Sequence, residues 1–87
     1  MEKISEERFM ELYGDVKVVF QSYYKYSFSF LGEFDGKTIY IRVGGNPDDI
    51  YRFDVTSGKE YLVKEMDINY AVVKEGESVI YEFTNNL

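Results

Sequence analysis

From Val16 to Phe34 every even-numbered residue is apolar except Ser22 and Gly32. The odd positions carry Lys17, Gln21, Lys25, Ser27, Ser29 and Glu33, with Val19, Tyr23 and Leu31 as exceptions. Side chains of a strand alternate between faces, so a period of two held over this distance writes one apolar face and one mostly polar face. The run takes up roughly a fifth of the 87-residue chain. It predicts a single long strand. Such a strand exceeds the usual length, so it is expected to bend and serve two parts of a sheet.

Ahead of it, the sequence predicts a short helix. Ser5 suits an N-cap, Glu6 and Glu7 sit where the helix dipole favours negative charge, and Gly14 can close the C-terminus. Ile4 and Phe9 fall at the positions of a hydrophobic staple, and Phe9, Leu12 and Tyr13 form one narrow apolar face. A helix this short is unstable alone and has to dock on something.

Behind the alternating run the chain reads as hairpins. Asp35-Gly36 is the strongest turn signal and suits a type I′ loop. Placing it there pairs Phe34 with Lys37, Gly32 with Ile39, Phe30 with Ile41 and Phe28 with Val43, which sets apolar residues of both strands on one face. After the loop Gly44–Asp49, Ile50–Val55 and Lys59–Met66 read as a second hairpin around Gly58, with Tyr51 opposite Val63, Phe53 opposite Tyr61 and Asp54 opposite Glu60. Asn46 and Pro47 would also start a helical turn within residues 47–54, the alternative to the strand. A third hairpin turns at Glu75-Gly76 and pairs Val72 with Val79, Tyr70 with Tyr81 and Ile68 with Phe83.

The fold expected from these elements is a single α+β domain spanning residues 1–87: one short N-terminal helix, then a meander of about five or six antiparallel strands. The long first strand makes the sheet strongly curved or a small open barrel. Nine Tyr and seven Phe favour strands and an aromatic core, with some rings left at the surface.

The chain contains no Cys and no His. That excludes disulfides, thiolate sites, imidazole bases and ordinary zinc sites. No catalytic, cofactor or metal residues are assigned. No segment is apolar enough to span a membrane, and the start lacks the apolar region of a signal peptide, so a cytoplasmic location is expected. The net charge is −6, and residues 1–15, 16–32 and 33–87 carry −3, +2 and −5. Acidity on this scale opposes nonspecific nucleic-acid binding and suits a basic partner.

Several constellations come to little when weighed. Asn46, Asp48, Asp49 and Asp54 offer oxygen ligands but lack the spacing of a calcium loop, and a solvated turn explains them. Gly44-Gly45 is followed by acids that would repel phosphate. Asp54 and Glu60 could be a carboxylate pair, yet a small sheet excludes too little water to tune them. The stretch Tyr23–Phe28 interleaves aromatics with Lys25, as single-strand-binding surfaces do. Its even residues fall in the core register, however, and only Tyr23 and Lys25 are expected to face outward.

The acids remain. Glu6, Glu7 and Glu11 share the helix, while Glu33, Asp35, Asp48, Asp49, Glu75 and Glu77 gather at predicted hairpin ends. Carboxylates spread over a rigid domain can imitate a phosphate array and occupy a basic groove. Solubility accounts for such charges equally simply. The expected function is therefore a non-enzymatic acidic binding protein. In its sharpest form it is an inhibitor that mimics nucleic-acid charge and docks on the basic nucleic-acid-binding surface of another protein, an anti-defence role of the phage type. Those acids form the candidate interface, with Tyr23 and Tyr51 as aromatic anchors. Two alternatives stand beside it: a sheet that binds single-stranded nucleic acid or oligosaccharide through exposed aromatics, and a domain that assembles with itself through an edge strand.

Overall fold

The computed structural model describes residues 1–25, 27–44 and 58–85, with Tyr24 described for its backbone alone. Within them lie seven strands and one α-helix. The strands are β1 (Glu2–Lys3), β2 (Lys17–Tyr24), β3 (Ser27–Phe34), β4 (Lys37–Gly44), β5 (Glu60–Leu62), β6 (Ile68–Glu75) and β7 (Ser78–Thr84). The helix α1 covers Glu6–Tyr13, and a 3-10 turn at Val63–Glu65 follows β5. All seven strands join one sheet in the order β1-β7-β6-β4-β3-β2-β5, antiparallel except for the parallel pair β1 and β7. The architecture is α+β. β1, which the sequence reading lacks, is tied to β7 by Glu2 opposite Tyr81 and by the Ile4 amide donating to Glu82 O at 2.9 Å.

The expected helix forms with its expected cap. Ser5 Oγ accepts from the Arg8 amide at 3.0 Å, and Glu6 and Glu7 occupy the first turn. Gly14 closes the helix differently from the left-handed glycine cap of the sequence reading. Its φ is −57°, and its amide continues to Met10 O at 2.9 Å. Glycine is needed for space instead, because a Cβ there would lie 2.5 Å from that same oxygen. Phe9 and Tyr13 are buried, and their rings meet Phe83, Tyr81 and Phe34. This docking supplies what eight helical residues lack alone.

The Asp35-Gly36 hairpin has the register read from its sequence, with Phe34, Gly32, Phe30 and Phe28 opposite Lys37, Ile39, Ile41 and Val43. Asp35 and Gly36 both have positive φ, 52° and 76°, as a type I′ loop requires. Gly36 meets that demand without strain.

The single long strand is overturned. The chain reverses at Lys25, which has a φ of +48°, so Val16–Phe34 is largely a hairpin of β2 and β3. The alternation hides this reversal for a physical reason. Pairing Tyr24 with Ser27 across a tight loop sets odd residues of β2 opposite even residues of β3, as in Tyr23 opposite Phe28. The extra residue Gln21 is a bulge, and beyond it Phe20 lies opposite Phe30. Loop and bulge each shift the phase by one residue and cancel, so even residues line the core face at both ends of the run. Between the bulge and the loop the phase is reversed. Tyr23 therefore shares the face of Phe28, with ring centroids 5.2 Å apart, rather than the outward face expected for it.

Two further registers differ from expectation. Lys59–Met66 is not one strand: β5 ends at Leu62, pairs with β2 and gives way to the 3-10 turn. The chain therefore leaves the meander after β4, places β5 beyond β2 and returns to set β6 beside β4. The last hairpin turns at Gly76-Glu77 rather than Glu75-Gly76, with Glu75 opposite Ser78. Gly76 takes the positive φ of 62° at the first loop position. An extra residue at Ile80 then sets Tyr81 opposite Val73 and Phe83 opposite Ala71, which brings both rings to the buried face. The proposed strand Ile50–Val55, its pairings, the alternative turn in 47–54 and residues Asn46, Asp48, Asp49, Tyr51 and Asp54 lie outside the described residues.

The core lies between α1 and one face of the sheet. Phe9, Val18, Phe30, Ile39, Ile41, Val43, Val63, Ala71 and Val73 are almost fully buried there. The 3-10 turn closes one side: Val63 and Lys64 donate their amides to Val16 O and Gly14 O, each at 3.0 Å.

Candidate functional site

The two sequence-local turns at Asp35-Gly36 and Gly76-Glu77 come to the same end of the sheet because β4 and β6 are antiparallel neighbours. Lys37, at the base of the first turn, links them. Its Nζ lies 3.8 Å from Asp35 Oδ2 and 3.7 Å from Glu75 Oε2, and it donates to Asp35 O at 3.4 Å. The Lys37 side chain is 22% exposed, against 79% for Asp35 and 63% for Glu75, so one half-buried cation sits beneath outward-facing carboxylates. Glu33 and Glu77 are exposed at this end as well. Thus four of the residues singled out in the sequence stand at one end of the sheet, Asp35 and Glu75 joined through Lys37 and Glu33 and Glu77 exposed beside them.

Two further acids extend the group: Asp15, absent from the sequence reading, and Glu60, considered there only as a partner of Asp54. Asp15 follows the helix and pairs with Lys64 Nζ at 2.8 Å, and Glu60 on β5 lies 3.9 Å from Lys17 Nζ. The hydrogen bond and charge of Asp15 raise the pKa of Lys64. These pairs are solvent-exposed and contribute little stability, so most of the carboxylates remain available to a partner. Glu33 has no hydrogen bond or ion pair among the described residues.

A groove of about 570 Å³ opens between the ends of β2 and β3. Val16, Val19, Leu31 and Gly32 form its apolar part, Asp15, Lys17, Glu33 and Glu60 its charged rim, and Phe34 stands at its mouth. The β2–β3 ladder stops at Val19 opposite Leu31, and the groove lies beyond that pair. Gly32 lets the strands stay close there, because a Cβ would lie 2.5 Å from Lys17 O and 2.7 Å from Val18 Cγ1. A smaller hollow of about 350 Å³ on the far side of Phe34 is bordered by Glu33, Asp35 and Lys37. The Phe34 ring is 48% exposed, yet it is held edge-on against buried Tyr13 with centroids 6.3 Å apart. Burial raises the pKa of the Tyr13 phenol; Tyr81 and Asp35 add to the rise and Arg8 opposes it.

The remaining candidates lie elsewhere. The first turn of α1 is at the opposite end of the sheet, where Glu6 Oε2 accepts from Asn85 Nδ2 at 3.1 Å. Glu11 pairs with Arg8 at 3.2 Å on the outside of the helix, and Glu7 is exposed. Tyr23, 46% exposed, stands at the far end of β2. Asp48, Asp49 and Tyr51 are among the residues not described. Phe34 was legible only as a core residue. Its exposure follows from its place as the last residue before the turn, where only Tyr13 at the end of the helix meets it.

Among the described residues no three Asp, Glu, His or Cys side chains come together as a metal-binding group. No helix among them is long and apolar enough to cross a membrane. No protein-family model, curated protein or solved structure matches the chain.

Proposed function

We propose that this chain is a non-enzymatic acidic binding protein, cytoplasmic in location, that docks on a basic nucleic-acid-binding surface of a protein partner. The observation that carries the reading is that Asp35 and Glu75, from two hairpins, meet over Lys37 at one end of the sheet, where Glu33, Glu77 and the Phe34 ring are also exposed. Carboxylates held on rigid hairpins lose little freedom on binding, and an aromatic among them supplies the anchor that charge alone does not. Tyr13 makes ring contacts with Phe34 on β3 and with Tyr81 on β7, strands three apart in the sheet. These contacts support a strongly curved sheet, which would present the hairpin tips as a compact convex end.

The test is capture of a nucleic-acid-binding protein from lysate by immobilised chain, with competing duplex DNA or RNA and added salt. Wild type should retain such a protein at low salt and release it to nucleic acid. The combined variant E33Q/D35N/E75Q/E77Q should retain far less. Equal capture by the neutralised variant, or no competition by nucleic acid, refutes the proposal.

A second reading rests on the sheet face turned away from α1. There β3, β4 and β6 place Ser29, Arg42 and Tyr70 in one row, with the Arg42 guanidinium 5.3 Å from the Tyr70 ring centroid and Tyr40 hydrogen-bonded to Ser29 at 2.8 Å. Direct binding of a single strand or a sugar chain there predicts quenching of tyrosine fluorescence by the oligomer, which a charge mimic does not show.

A further inference from the structure

We infer that the sheet face turned away from α1 is the interface of a homodimer, in which two copies pack face to face about a two-fold axis running along β4. The Asp35 and Glu75 tips stay uncovered in that arrangement, so it neither needs nor blocks an acidic-surface partner; only Glu33 is shared. It does take the face on which the second reading rests.

β4 is the middle strand of the seven. On the face opposite the helix one row of side chains crosses the sheet: Glu60, Val19, Leu31, Tyr40, Val72 and Glu82, with Lys3 of β1 beside Glu82. Its centre is an apolar stripe. Val19, Leu31 and Tyr40 are partly exposed there, and none belongs to the buried core on the helix side. A second row beside the stripe holds Glu33, Thr38 and Lys74. Glu33 and Lys74 are exposed, and neither has an ion pair among the described residues, because the whole of β4 separates them.

The charges decide what covers the stripe. Lys3, Lys17, Arg42 and Lys74 stand on this face against Glu33, Glu60 and Glu82, so it is nearly neutral in a chain of −6. Their order is complementary to itself. A two-fold along β4 sets β3 over β6 of the second copy, β2 over β7 and β5 over β1. Glu33 then meets Lys74 of the second copy, Glu60 meets Lys3, and Lys17 falls beside Glu82, each pair occurring twice. Leu31 meets Val72 and Tyr40 meets its own counterpart, which sets apolar stripe on apolar stripe in an aligned sheet packing. Arg42 lies near the axis but is turned sideways onto Tyr70, 5.3 Å from the ring centroid. Nucleic acid would meet the three acids, and a basic protein would leave the four bases facing like charge. Five strands at ~4.8 Å spacing and five residues at ~3.4 Å give roughly 400 Å² of plane per copy, and side chains standing out of the plane add to it. That lies near the lower bound of about 1,000 Å² in total for a specific interface, so the dimer is a reversible one. The two Asp35-Gly36 turns come to the same end, where solvent and salt screen their repulsion.

The experiment is sedimentation velocity on the full chain from about 5 to about 500 µM at physiological salt, with far-UV circular dichroism to establish that each variant is folded. The weight-average mass of wild type should rise with concentration from 10.3 kDa toward twice that value. L31D should stay monomeric throughout. E33K and K74E should each weaken association about threefold or more, since each removes two exposed ion pairs of the dimer at once. The double variant E33K/K74E rebuilds both pairs with their signs exchanged and should recover the wild-type association. Wild type that remains monomeric over the whole range refutes the dimer. A dimer that survives L31D, or one that E33K/K74E restores no better than either single variant, belongs to another face and overturns the proposal as well. Should L31D fail to fold, the charge variants at the exposed positions decide alone.

Discussion

Replacing Phe9 by Ala tests the central claim that α1 and the sheet form one cooperative unit. Phe9 is 1% exposed, with ring centroids 5.4 Å from Tyr13 and 5.6 Å from Phe83. Truncating a buried Phe costs about 3–5 kcal/mol through lost transfer energy and the cavity left behind. The two ring pairs place Phe9 toward the upper part of that range, since aromatic contacts add about 0.5–1.5 kcal/mol beyond area. A domain of this size has a total stability on the order of 4–13 kcal/mol. The substitution therefore removes a third or more of it and lowers Tm by well over 10 °C. Denaturant unfolding read by far-UV circular dichroism and by tyrosine fluorescence should give one shared, displaced transition. F9L, which keeps most of the volume, should lose less than half as much. A loss below about 1.5 kcal/mol for F9A, or separate transitions for helix and sheet, would show that α1 is an appendage and refute the argument.

Three other outcomes follow from particular contacts. G32A forces a Cβ to within 2.5 Å of Lys17 O and 2.7 Å of Val18 Cγ1, so it should cost about 1–3 kcal/mol in denaturant unfolding and perturb the β2–β3 amides; a neutral effect counts against the close approach there. G36A retains open space but places Ala at a φ of +76°, and should cost about 1–2 kcal/mol without altering the amide shifts of the core. The raised pKa of Tyr13 favours the protonated phenol in the folded state. Stability is thus intact below the ordinary value of about 10 and falls as pH rises through the folded-state value. Y13F should flatten the alkaline slope of urea midpoints between about pH 9 and 11, leaving the part due to the exposed Lys64–Asp15 pair, which has the same sign. An unchanged slope rules out Tyr13 as its source.

What could be read from the sequence was chemistry that acts over a few residues. Ser5 as a cap and Asp35-Gly36 as a type I′ turn follow from the local hydrogen-bonding and φ demands of those residue types. The turn alone then carried the register of β3 on β4 over its full length. The position of acids at hairpin tips is local and legible in the sequence, whereas which tips share an end of the sheet depends on strand order. The alternation of Val16–Phe34 was read correctly as strand and wrongly as one strand. A tight turn and a bulge leave the same even-numbered apolar pattern as no turn at all.

Tertiary structure decided the rest. Lys25 carries no turn signal of its own, and its positive φ is sustained by the ladders on either side. The bulges at Gln21 and Ile80 are choices of pairing that bring rings to the core, not preferences of those residues. Strand order set β4 beside β6, and so brought two turns distant in sequence to one end under Lys37. Phe34 became an exposed ring against Tyr13 only once the helix ended where it does. The sequence by itself determined local conformation and the sign of the surface. Long-range packing determined which charges stand together, because juxtaposition is a property of pairing and burial summed over the whole chain.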